Sequence, residues 1–392
     1  GRSRILDLWC NMYACCETSI IENDDETFSP DKIPEQKTTF RVWGPNWPTP
    51  VSALNADPES QIAGAGAIPA LVQLLETGTP AAREQAAGAL RNLSKSAKNQ
   101  EVIVSSGAIR LLVHLLAEAG PVGKENALAV LSSLLPGAER EASMVQSGIV
   151  APLVTVLGYG TRQSQEYALQ IMAPLSVSTS TQAAMTKAGA VPPLVALLST
   201  RASPSSQELA AAVLEQLASR RAARAAIVEA SAALPLVHLL IGGSMITKDF
   251  AAGVLALLAE DSANHEAIRK AIPGRPLAKL LGNGSLRGQE NAARTMASLA
   301  TNEANHEELV QAEAIPILVG VLTKGSPDAQ AFAAGTLEHL AIRKERQTDI
   351  LAAGAVEPLV LLLSTGTAKA KENAAGALGN LAVNGDQISW EC

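Results

Sequence analysis

The chain has 392 residues, a formal net charge of −7, 47% hydrophobic residues and 3% aromatic residues. A core without large rings must be built from Ala, Leu, Val and Ile, which favours helices that pack closely together. The absence of any run of 18 apolar residues argues against a transmembrane helix. Residues 60–392 hold 28 acids and 26 bases, a near balance that argues against nucleic-acid binding.

Residues 1–56 form the first segment, which we expect to be irregular and proline-rich. Pro30, Pro34, Pro45, Pro48 and Pro50 interrupt it, and it holds three of the four tryptophans. Two interpretations remain open. The segment is a flexible leader, or its stretch from Phe40 to Trp47 covers the apolar face of the repeat that follows, since terminal repeats need a polar outer face.

Cysteines stand only near the two ends of the chain. Cys10, Cys15 and Cys16 run C-x4-C-C, and Cys392 is the last residue. This spacing lacks the paired ligands of a zinc site, so free thiols are favoured, with metal binding or lipidation of Cys15 or Cys16 as alternatives. The lack of cysteine between them fits a reducing compartment, and we expect a cytoplasmic or nuclear location.

From residue 57 onwards the motif LVxLL, or a close variant, recurs eight times. Its final apolar pairs begin at Leu74, Leu115, Val156, Leu197, Leu239, Leu280, Val321 and Leu362. The spacing is 41 residues throughout, apart from one spacing of 42 that places an extra residue in the loop Ser199–Ser206. A fixed period of this length is typical of a solenoid in which each unit packs only on its neighbours.

The residue pattern of each 41-residue unit predicts three helices. Eight residues before the pair stands Gly66 or its equivalent in five copies, a residue that can end a first helix in the left-handed conformation. Ser231, Ile272 and Glu313 take this place in the other three copies. A second helix carries LVxLL and opens near a proline at Pro69, Pro192 and Pro316. Thr79-Pro80 and Ser326-Pro327 predict a capping residue and a first helical proline for the third helix.

The stretch GAIPALVQLLETGTPAAREQAAGALRNLS, residues 66–94, closely resembles an armadillo repeat, the unit of importin-α, beta-catenin and many plant-type armadillo proteins. The resemblance covers about residues 57–388 and is greatest to plant-type and vacuole-associated armadillo proteins. It implies an all-α, right-handed solenoid of eight armadillo repeats, with the third helices lining a concave groove. Residues 381–388 resemble the start of a further first helix, so we expect a ninth repeat to begin before the tail 389–392.

Acidic residues recur at one position of the predicted third helix, which we call the acidic column. The column holds Glu84, Glu125, Glu166, Glu208, Asp249, Glu290, Ala331 and Glu372. An acid near a helix N-terminus complements the macrodipole. The same acids would also form a ladder along the groove that attracts basic peptides, and both interpretations stay open.

Eight residues further on is the asparagine column. It holds Asn92, Ser133, Pro174, Gln216, Leu257, Ser298, His339 and Asn380. In grooves of the importin-α and catenin kind, an asparagine here holds the backbone of a bound peptide, because an amide both donates and accepts hydrogen bonds. Two copies keep it. Pro174 is expected to kink its helix and bend the groove near the third repeat.

The glycine column stands four residues before the asparagine column, where importin-α has tryptophan. It holds Gly88, Ala129, Gln170, Ala212, Gly253, Arg294, Gly335 and Gly376. We therefore expect a smooth groove floor without aromatic slots for lysine side chains. This difference argues against recognition of nuclear-localisation signals in the importin manner.

Residues 57–388 show no catalytic signature of the G-x-S-x-G, HExxH, Walker or dinucleotide-binding type. The five histidines follow repeat positions, as His114 with His238 and His265 with His306 illustrate. We expect no cofactor, no bound metal and no enzymatic activity.

The sequence favours a non-catalytic scaffold or adaptor that binds another protein along the groove, including an extended or basic segment. The alternatives are the substrate-binding region of a U-box ubiquitin ligase, or a nuclear import adaptor. The predicted partner-binding residues are Glu84, Asn92, Glu125, Ser133, Glu166, Glu208, Gln216, Asp249, Glu290, Arg294, Ser298, His339, Glu372 and Asn380.

Overall fold

The computed structural model describes residues 58–383, which form 24 α-helices and contain no strand. The helices, α1 to α24, make eight units of three. The first helices are α1 (Pro58–Gly64), α4 (Ala97–Ser105), α7 (Ala138–Gln146), α10 (Thr179–Lys187), α13 (Arg221–Glu229), α16 (His265–Arg269), α19 (His306–Gln311) and α22 (Lys344–Ala352). The second helices are α2 (Ala67–Thr77), α5 (Ala108–Glu118), α8 (Val150–Tyr159), α11 (Val191–Ala196), α14 (Ala233–Gly242), α17 (Gly274–Asn283), α20 (Ala314–Lys324) and α23 (Val356–Thr365).

The third helices are the longest of each unit. They are α3 (Pro80–Leu93), α6 (Pro121–Ser133), α9 (Arg162–Leu175), α12 (Pro204–Ala218), α15 (Met245–Ala259), α18 (Leu286–Ala300), α21 (Pro327–Leu340) and α24 (Ala368–Ala382). The predicted all-α solenoid of eight three-helix repeats is confirmed. The predictions for the leader, its cysteines and tryptophans, the ninth repeat and the tail fall outside the described residues.

In every repeat, one residue between the first and second helices adopts the left-handed conformation. The five glycines at this position, among them Gly66 and Gly354, have φ of 76° to 82°. Ser231, Ile272 and Glu313 adopt the same conformation with φ of 54° to 57°, although a side chain disfavours it. The column predicted from the sequence is therefore confirmed in all eight copies.

Third helices begin at a hydroxyl cap in seven of the eight described repeats. The capping residues, whose hydroxyl oxygen accepts a hydrogen bond from a backbone N–H of the first turn, are Thr79, Thr161, Ser203, Ser244, Ser285, Ser326 and Thr367. Pro80 and Pro327 occupy the first helical position, as predicted. Pro69 and Pro316 lie two residues inside their second helices rather than at the start.

The core consists of small and branched aliphatic side chains from the second and third helices. In the second repeat, for example, the fully buried residues include Leu128 and Leu131 on α6 and Leu134, which directly follows that helix. Each third helix packs against the third helices of the neighbouring repeats, more closely than successive second helices pack on each other. Successive third helices therefore form one continuous layer along the array, the layer that the armadillo resemblance assigns to the groove.

The extra residue of the fourth repeat lies between α11 and α12, as the spacing predicted, and the flanking Leu198 and Leu209 stay buried. Pro174 lies in the last turn of α9, one residue before the helix ends at Leu175. The third helices α3 and α21 end at the same repeat position. Pro174 thus lies inside its helix, as expected, although in the last turn, where it does not shorten the helix. The expected kink and the bend of the groove stay predictions.

The last described repeat exposes positions that other repeats bury. Val360 and Leu363 on α23 are 52% and 40% exposed, whereas the equivalent Val237 and Leu240 on α14 are 3% and 4% exposed. The reason is that α14 is followed by the second helix of another described repeat, which packs on it.

Candidate functional site

The acidic column contacts the beginning of the following third helix. Glu84 Oε1 accepts a hydrogen bond of 2.9 Å from the backbone N–H of Gly120, the residue that precedes α6. Four other acids accept hydrogen bonds of 2.6 to 3.3 Å from the capping hydroxyls of the next repeat. The pairs are Glu125 with Thr161, Glu208 with Ser244, Asp249 with Ser285, and Glu290 with Ser326.

These carboxylates therefore complement the N-terminus of the next helix, and they connect consecutive repeats. The expected effect of each acid on the macrodipole of its own helix stays a prediction. Glu166 is half-buried on α9, while Ala331 has no polar group to offer. Glu372, in the last described third helix, is exposed and pairs with Lys369 on its own helix at 3.0 Å.

Asp249 is the most deeply buried carboxylate of the column, with 8% of its surface exposed. Its Oδ2 accepts the hydrogen bond from Ser285 at 2.6 Å, while its Oδ1 is buried and lacks a hydrogen-bond partner. Burial penalises the charged form and raises the pKa of Asp249, although Ser285 and Arg287 oppose the rise.

The two asparagines of the asparagine column have different surroundings. Asn92 is exposed and faces a shallow depression of about 600 Å³, which Gln85, Gly88, Lys95 and Asn126 also line. Asn380 is half-buried, and its Nδ2 donates to the backbone carbonyl of Glu338 at 2.9 Å. Asn92 therefore presents its amide to the groove, whereas the amide N–H of Asn380 already holds the preceding repeat.

Other members of this column bond to their own helix. The hydroxyl of Ser133 donates to the carbonyl of Val130 at 2.7 Å, and His339 Nδ1 lies 2.7 Å from the carbonyl oxygen of Gly335. Gln216 and Ser298 are half-buried on α12 and α18. The predicted site residues thus share one layer of helices but do not converge on one point.

The floor of the groove is not smooth, because side chains of adjacent repeats fill the space over its glycines. A Cβ on Gly253 would clash with the Glu215 carboxylate, and one on Gly376 would clash with the carboxylate of Glu338. A Cβ on Gly335 would lie 2.8 Å from Asn373 Nδ2. The expectation of a plain Gly and Ala floor is therefore corrected, because the glycines accommodate polar groups from the neighbouring helix. Arg294, which replaces glycine in this column, pairs with Glu260.

Aromatic side chains occupy the position directly after the acidic column, which we call the aromatic column. Three of the four aromatic residues between residues 58 and 383 are in it: Tyr167, Phe250 and Phe332. They belong to the third, fifth and seventh repeats, so they recur at every second repeat, and all three are half-buried. The fourth aromatic residue, Tyr159, lies at the end of a second helix and is 92% exposed.

The aromatic column is not among the residues predicted from the sequence, because aromatic side chains were expected only at the position of the importin-α tryptophan. Counting the few aromatic residues by their place in the 41-residue period would have found it. The position lies three residues before the glycine column and seven before the asparagine column, so all three columns share one helix face. The depression confirms the shared face in the first repeat, since it touches Gln85, Gly88 and Asn92.

Arginines cover two of the aromatic rings. The guanidinium carbon of Arg91 lies 5.8 Å from the ring centre of Tyr167, and that of Arg287 lies 4.8 Å from the ring centre of Phe250. Arg91 also donates to Asn126 Oδ1 at 3.2 Å and to the Tyr167 hydroxyl at 3.3 Å. Arg91 thus connects the third helices of the first and third repeats, whereas Arg287 and Phe250 lie on the third helices of two consecutive repeats.

Arg287 makes a second contact, an ion pair and hydrogen bond with Glu215 on α12. Glu215 is 9% exposed, and its burial raises the pKa of the carboxyl group even though the neighbouring Arg287 favours the charged form. Apolar side chains also occupy this part of the third-helix surface. Leu209 on α12 is buried there, and Ile246 and Leu257 on α15 are half-buried.

Within residues 58–383 no group of three His, Cys, Asp or Glu side chains could hold a metal ion. His265 and His306 are buried, and the Nε2 of each lies within 2.8 Å of a carbonyl oxygen at the end of the preceding third helix. In that same range no single helix is long and apolar enough to cross a membrane, while four bent helix pairs meet the length and composition criteria together.

Comparisons with known proteins agree with this architecture. A family model described as the plant U-box protein ARM repeat region matches residues 53–281, and one described as the Armadillo/beta-catenin-like repeat matches residues 344–383. Among solved structures, an engineered protein is 26% identical with a TM-score of 0.64, over 86% of this chain and 92% of that chain.

Two further solved structures are a designed armadillo repeat protein and one of the computationally designed armadillo repeat proteins for modular peptide recognition. Each is 26% identical with a TM-score of 0.54, over 59% of this chain and 99% of its own. A search of curated protein sequences found no match.

Proposed function

Because the chain belongs to the family of plant U-box protein ARM repeat regions, we propose that it is a non-catalytic scaffold that holds an extended segment of another protein along its third-helix surface. The aromatic column is the observation that carries this proposal. A chain with so few aromatic residues places three of them on one face, at every second repeat. Aromatic side chains supply large contact area at low entropic cost, which is why they dominate binding surfaces.

The polar groups on the same surface support an extended ligand. Asn92 presents both a donor and an acceptor to the depression in the first repeat, which suits a peptide backbone. Within residues 58–383, arginines cover the rings of Tyr167 and Phe250 but not that of Phe332, the third member of the aromatic column. Binding at these two distant points would require a segment that runs along most of the array.

The test is a crosslinking experiment in cell extract to identify the partner, followed by affinity measurements with purified variants. We expect Phe332→Ala to weaken binding by at least about tenfold, which corresponds to about 1.4 kcal/mol. Tyr159→Ala is the matched control, because it removes an exposed aromatic ring outside the groove. Equal losses in the two variants, or crosslinks confined to the first and second helices, would overturn the proposal.

Attraction of a basic segment by the acidic column remains a separate prediction. Glu125→Lys and Glu290→Lys reverse the charge at two positions, and unchanged affinity for basic peptides would contradict the prediction. Because both acids also hold the cap of the next helix, the thermal stability of each variant must be measured alongside its binding.

A second candidate is the substrate-binding region of a U-box ubiquitin ligase, which the description of the matching family favours. A reading frame that joins this array to a U-box, together with ubiquitin transfer to the captured partner, would establish it. A nuclear import adaptor is less well supported, because the aromatic residues lie three positions before the tryptophan position of importin-α-like grooves. A cytoplasmic or nuclear location is proposed as well, and imaging of a tagged chain would test it.

A further inference from the structure

Arg287, like Arg91, spans three consecutive third helices, but only Arg287 ends on a buried carboxylate. It starts on α18 in the sixth repeat, passes over the Phe250 ring on α15, and ends on the Glu215 carboxylate of α12 in the fourth repeat. The two ion-pair partners are 72 residues apart in sequence. The side chain therefore lies over the third helix of the repeat between them.

Three residues form a slot around the guanidinium group. The Phe250 ring lies against its face, the Glu215 carboxylate accepts its hydrogen bond, and Gly253 leaves room for that carboxylate. Any side chain at position 253 would clash with Glu215 Oε1. Glycine at this position is thus a requirement of the slot, because it lets the carboxylate approach the backbone of α15.

The slot has a buried end and an open end. The side chain of Glu215 is 10% exposed, whereas that of Arg287 is 36% exposed. The carboxylate belongs to the floor of the groove, and the cation approaches it from the solvent side. A buried carboxylate without a partner is costly, so this position needs a cation from some source.

We propose that Glu215, Phe250 and Gly253 form a binding slot for an arginine side chain of the partner segment, and that Arg287 occupies this slot in the free protein. The proposal deepens the proposed function, since it names a residue that the bound segment carries. Exchange of one guanidinium for another leaves Glu215 paired, so binding of the incoming arginine does not leave a buried carboxylate without a partner. Arg287 is already partly solvated and can move to the surface.

Arginine is favoured over lysine by the shape of the slot. A planar guanidinium stacks on a ring and donates in a fixed fork to a carboxylate at the same time, whereas an ammonium group is a compact, strongly hydrated charge. The first arginine–aromatic contact offers no equivalent slot. Arg91 contacts Asn126, the Tyr167 hydroxyl and Glu125, whose side chain is 27% exposed and also receives the Thr161 hydroxyl.

The test removes the Arg287 side chain and supplies an arginine-containing peptide in its place. We expect Arg287→Ala to bind the peptide N-acetyl-Gly-Arg-Gly-amide, with chemical-shift changes in α12 and α15 and a concentration-dependent rise in melting temperature. Binding to the lysine peptide should be at least fivefold weaker, and binding of the arginine peptide to the wild-type chain at least tenfold weaker. The control peptide carries glutamine in place of arginine.

Two further variants guard against a folding failure of Arg287→Ala and test whether the binding needs the Glu215 carboxylate. Arg287→Met retains the aliphatic contact with Phe250 and serves where the alanine variant does not fold, and Arg287→Ala combined with Glu215→Gln must lose the binding. Failure of both single variants to bind the arginine peptide, or equal binding of the arginine and glutamine peptides, would overturn the slot. Neither result affects the scaffold proposal, which is tested with the natural partner and with Phe332→Ala.

Discussion

Glu290 and Ser326 show how consecutive repeats are joined. The hydroxyl of Ser326 donates to Glu290 Oε1 at 2.7 Å, and its oxygen accepts a hydrogen bond from the N–H of Ala329 in the first turn of α21. One serine thus caps its own helix and binds the preceding third helix. Because four acids of the column contact a capping hydroxyl in this way, the acid and the cap form one inter-repeat contact.

Removal of the acid should therefore weaken the array. Glu290→Ala is expected to lower the free energy of unfolding by about 1 kcal/mol, the usual value of a partly buried hydrogen bond. The measurement is urea unfolding followed by circular dichroism. Glu372→Ala is the control, since this acid has an exposed ion pair instead of a cap contact, and it should cost less than about 0.5 kcal/mol. Equal losses would contradict the assignment, as would additivity of Glu290→Ala with Ser326→Ala.

The strained left-handed conformation of Ile272, between a first and a second helix, predicts that its replacement by glycine stabilises the chain. Ile272 is β-branched, has φ of 54° and is 68% exposed, so its side chain adds strain without much burial. Ile272→Gly should raise the free energy of unfolding by about 0.5–1 kcal/mol, because relief of about 1–2 kcal/mol exceeds the entropic cost of glycine. Thermal or chemical unfolding measures the change.

The reverse substitution provides the control for that prediction. A Cβ at Gly354 would meet no atom within 4 Å, so Gly354→Ala changes only the backbone preference at φ of 76°. It should destabilise by about 1 kcal/mol. A loss of stability in Ile272→Gly, or no effect in Gly354→Ala, would show that the left-handed conformation is not the source of the strain.

The same valine position of the second helix is buried at Val237 and exposed at Val360, so its truncation should change stability differently in the two repeats. Val237→Ala should lower the free energy of unfolding by about 2 kcal/mol, from the lost burial of two methyl groups and the space left behind. Val360→Ala, at the same repeat position, should cost less than about 0.5 kcal/mol, because Val360 is 52% exposed. Equal losses in urea unfolding would mean that a further element covers α23 in solution.

The raised pKa of Asp249 predicts a pH dependence of stability. Because burial raises this pKa above its ordinary value of 3.8, the folded chain binds a proton that the unfolded chain has already lost. The contribution of Asp249 to stability is complete at pH values below its ordinary pKa, and it is lost as pH rises through its pKa in the folded chain. We therefore expect the stability of the wild type relative to Asp249→Asn to decrease with pH above about 4.

Urea unfolding of both proteins at a series of pH values between 3.5 and 7 measures this difference. The asparagine variant cannot ionise at position 249, so acids distant from this position cancel in the difference. Glu215 does not cancel, because the charge of Asp249 raises the pKa of Glu215, and this coupling lowers the stability of the wild type in the same direction as pH rises. A difference that stays constant or grows with rising pH would contradict a raised pKa in the folded state.

The repeat architecture could be predicted from local sequence, and the site only in part. Thr79-Pro80 and Gly66 act within one turn of the backbone, so their roles are visible in the residues themselves. The partner of Glu290 is 36 residues away, and that of Glu215 is 72 residues away. Such contacts depend on how far one helix is shifted along its neighbour, which residue spacing does not specify.

By itself, the sequence determined the number of repeats, their three-helix form, the left-handed junctions and the single inserted residue, because the 41-residue period and the backbone preferences of Gly, Pro, Ser and Thr act locally. Tertiary structure alone decided that the acids hold caps, that Gly253 accommodates Glu215, and that Arg287 covers Phe250. The reason is physical: these contacts form only when stacked repeats bring distant side chains together, and a buried carboxylate is stable only where another helix supplies its partner.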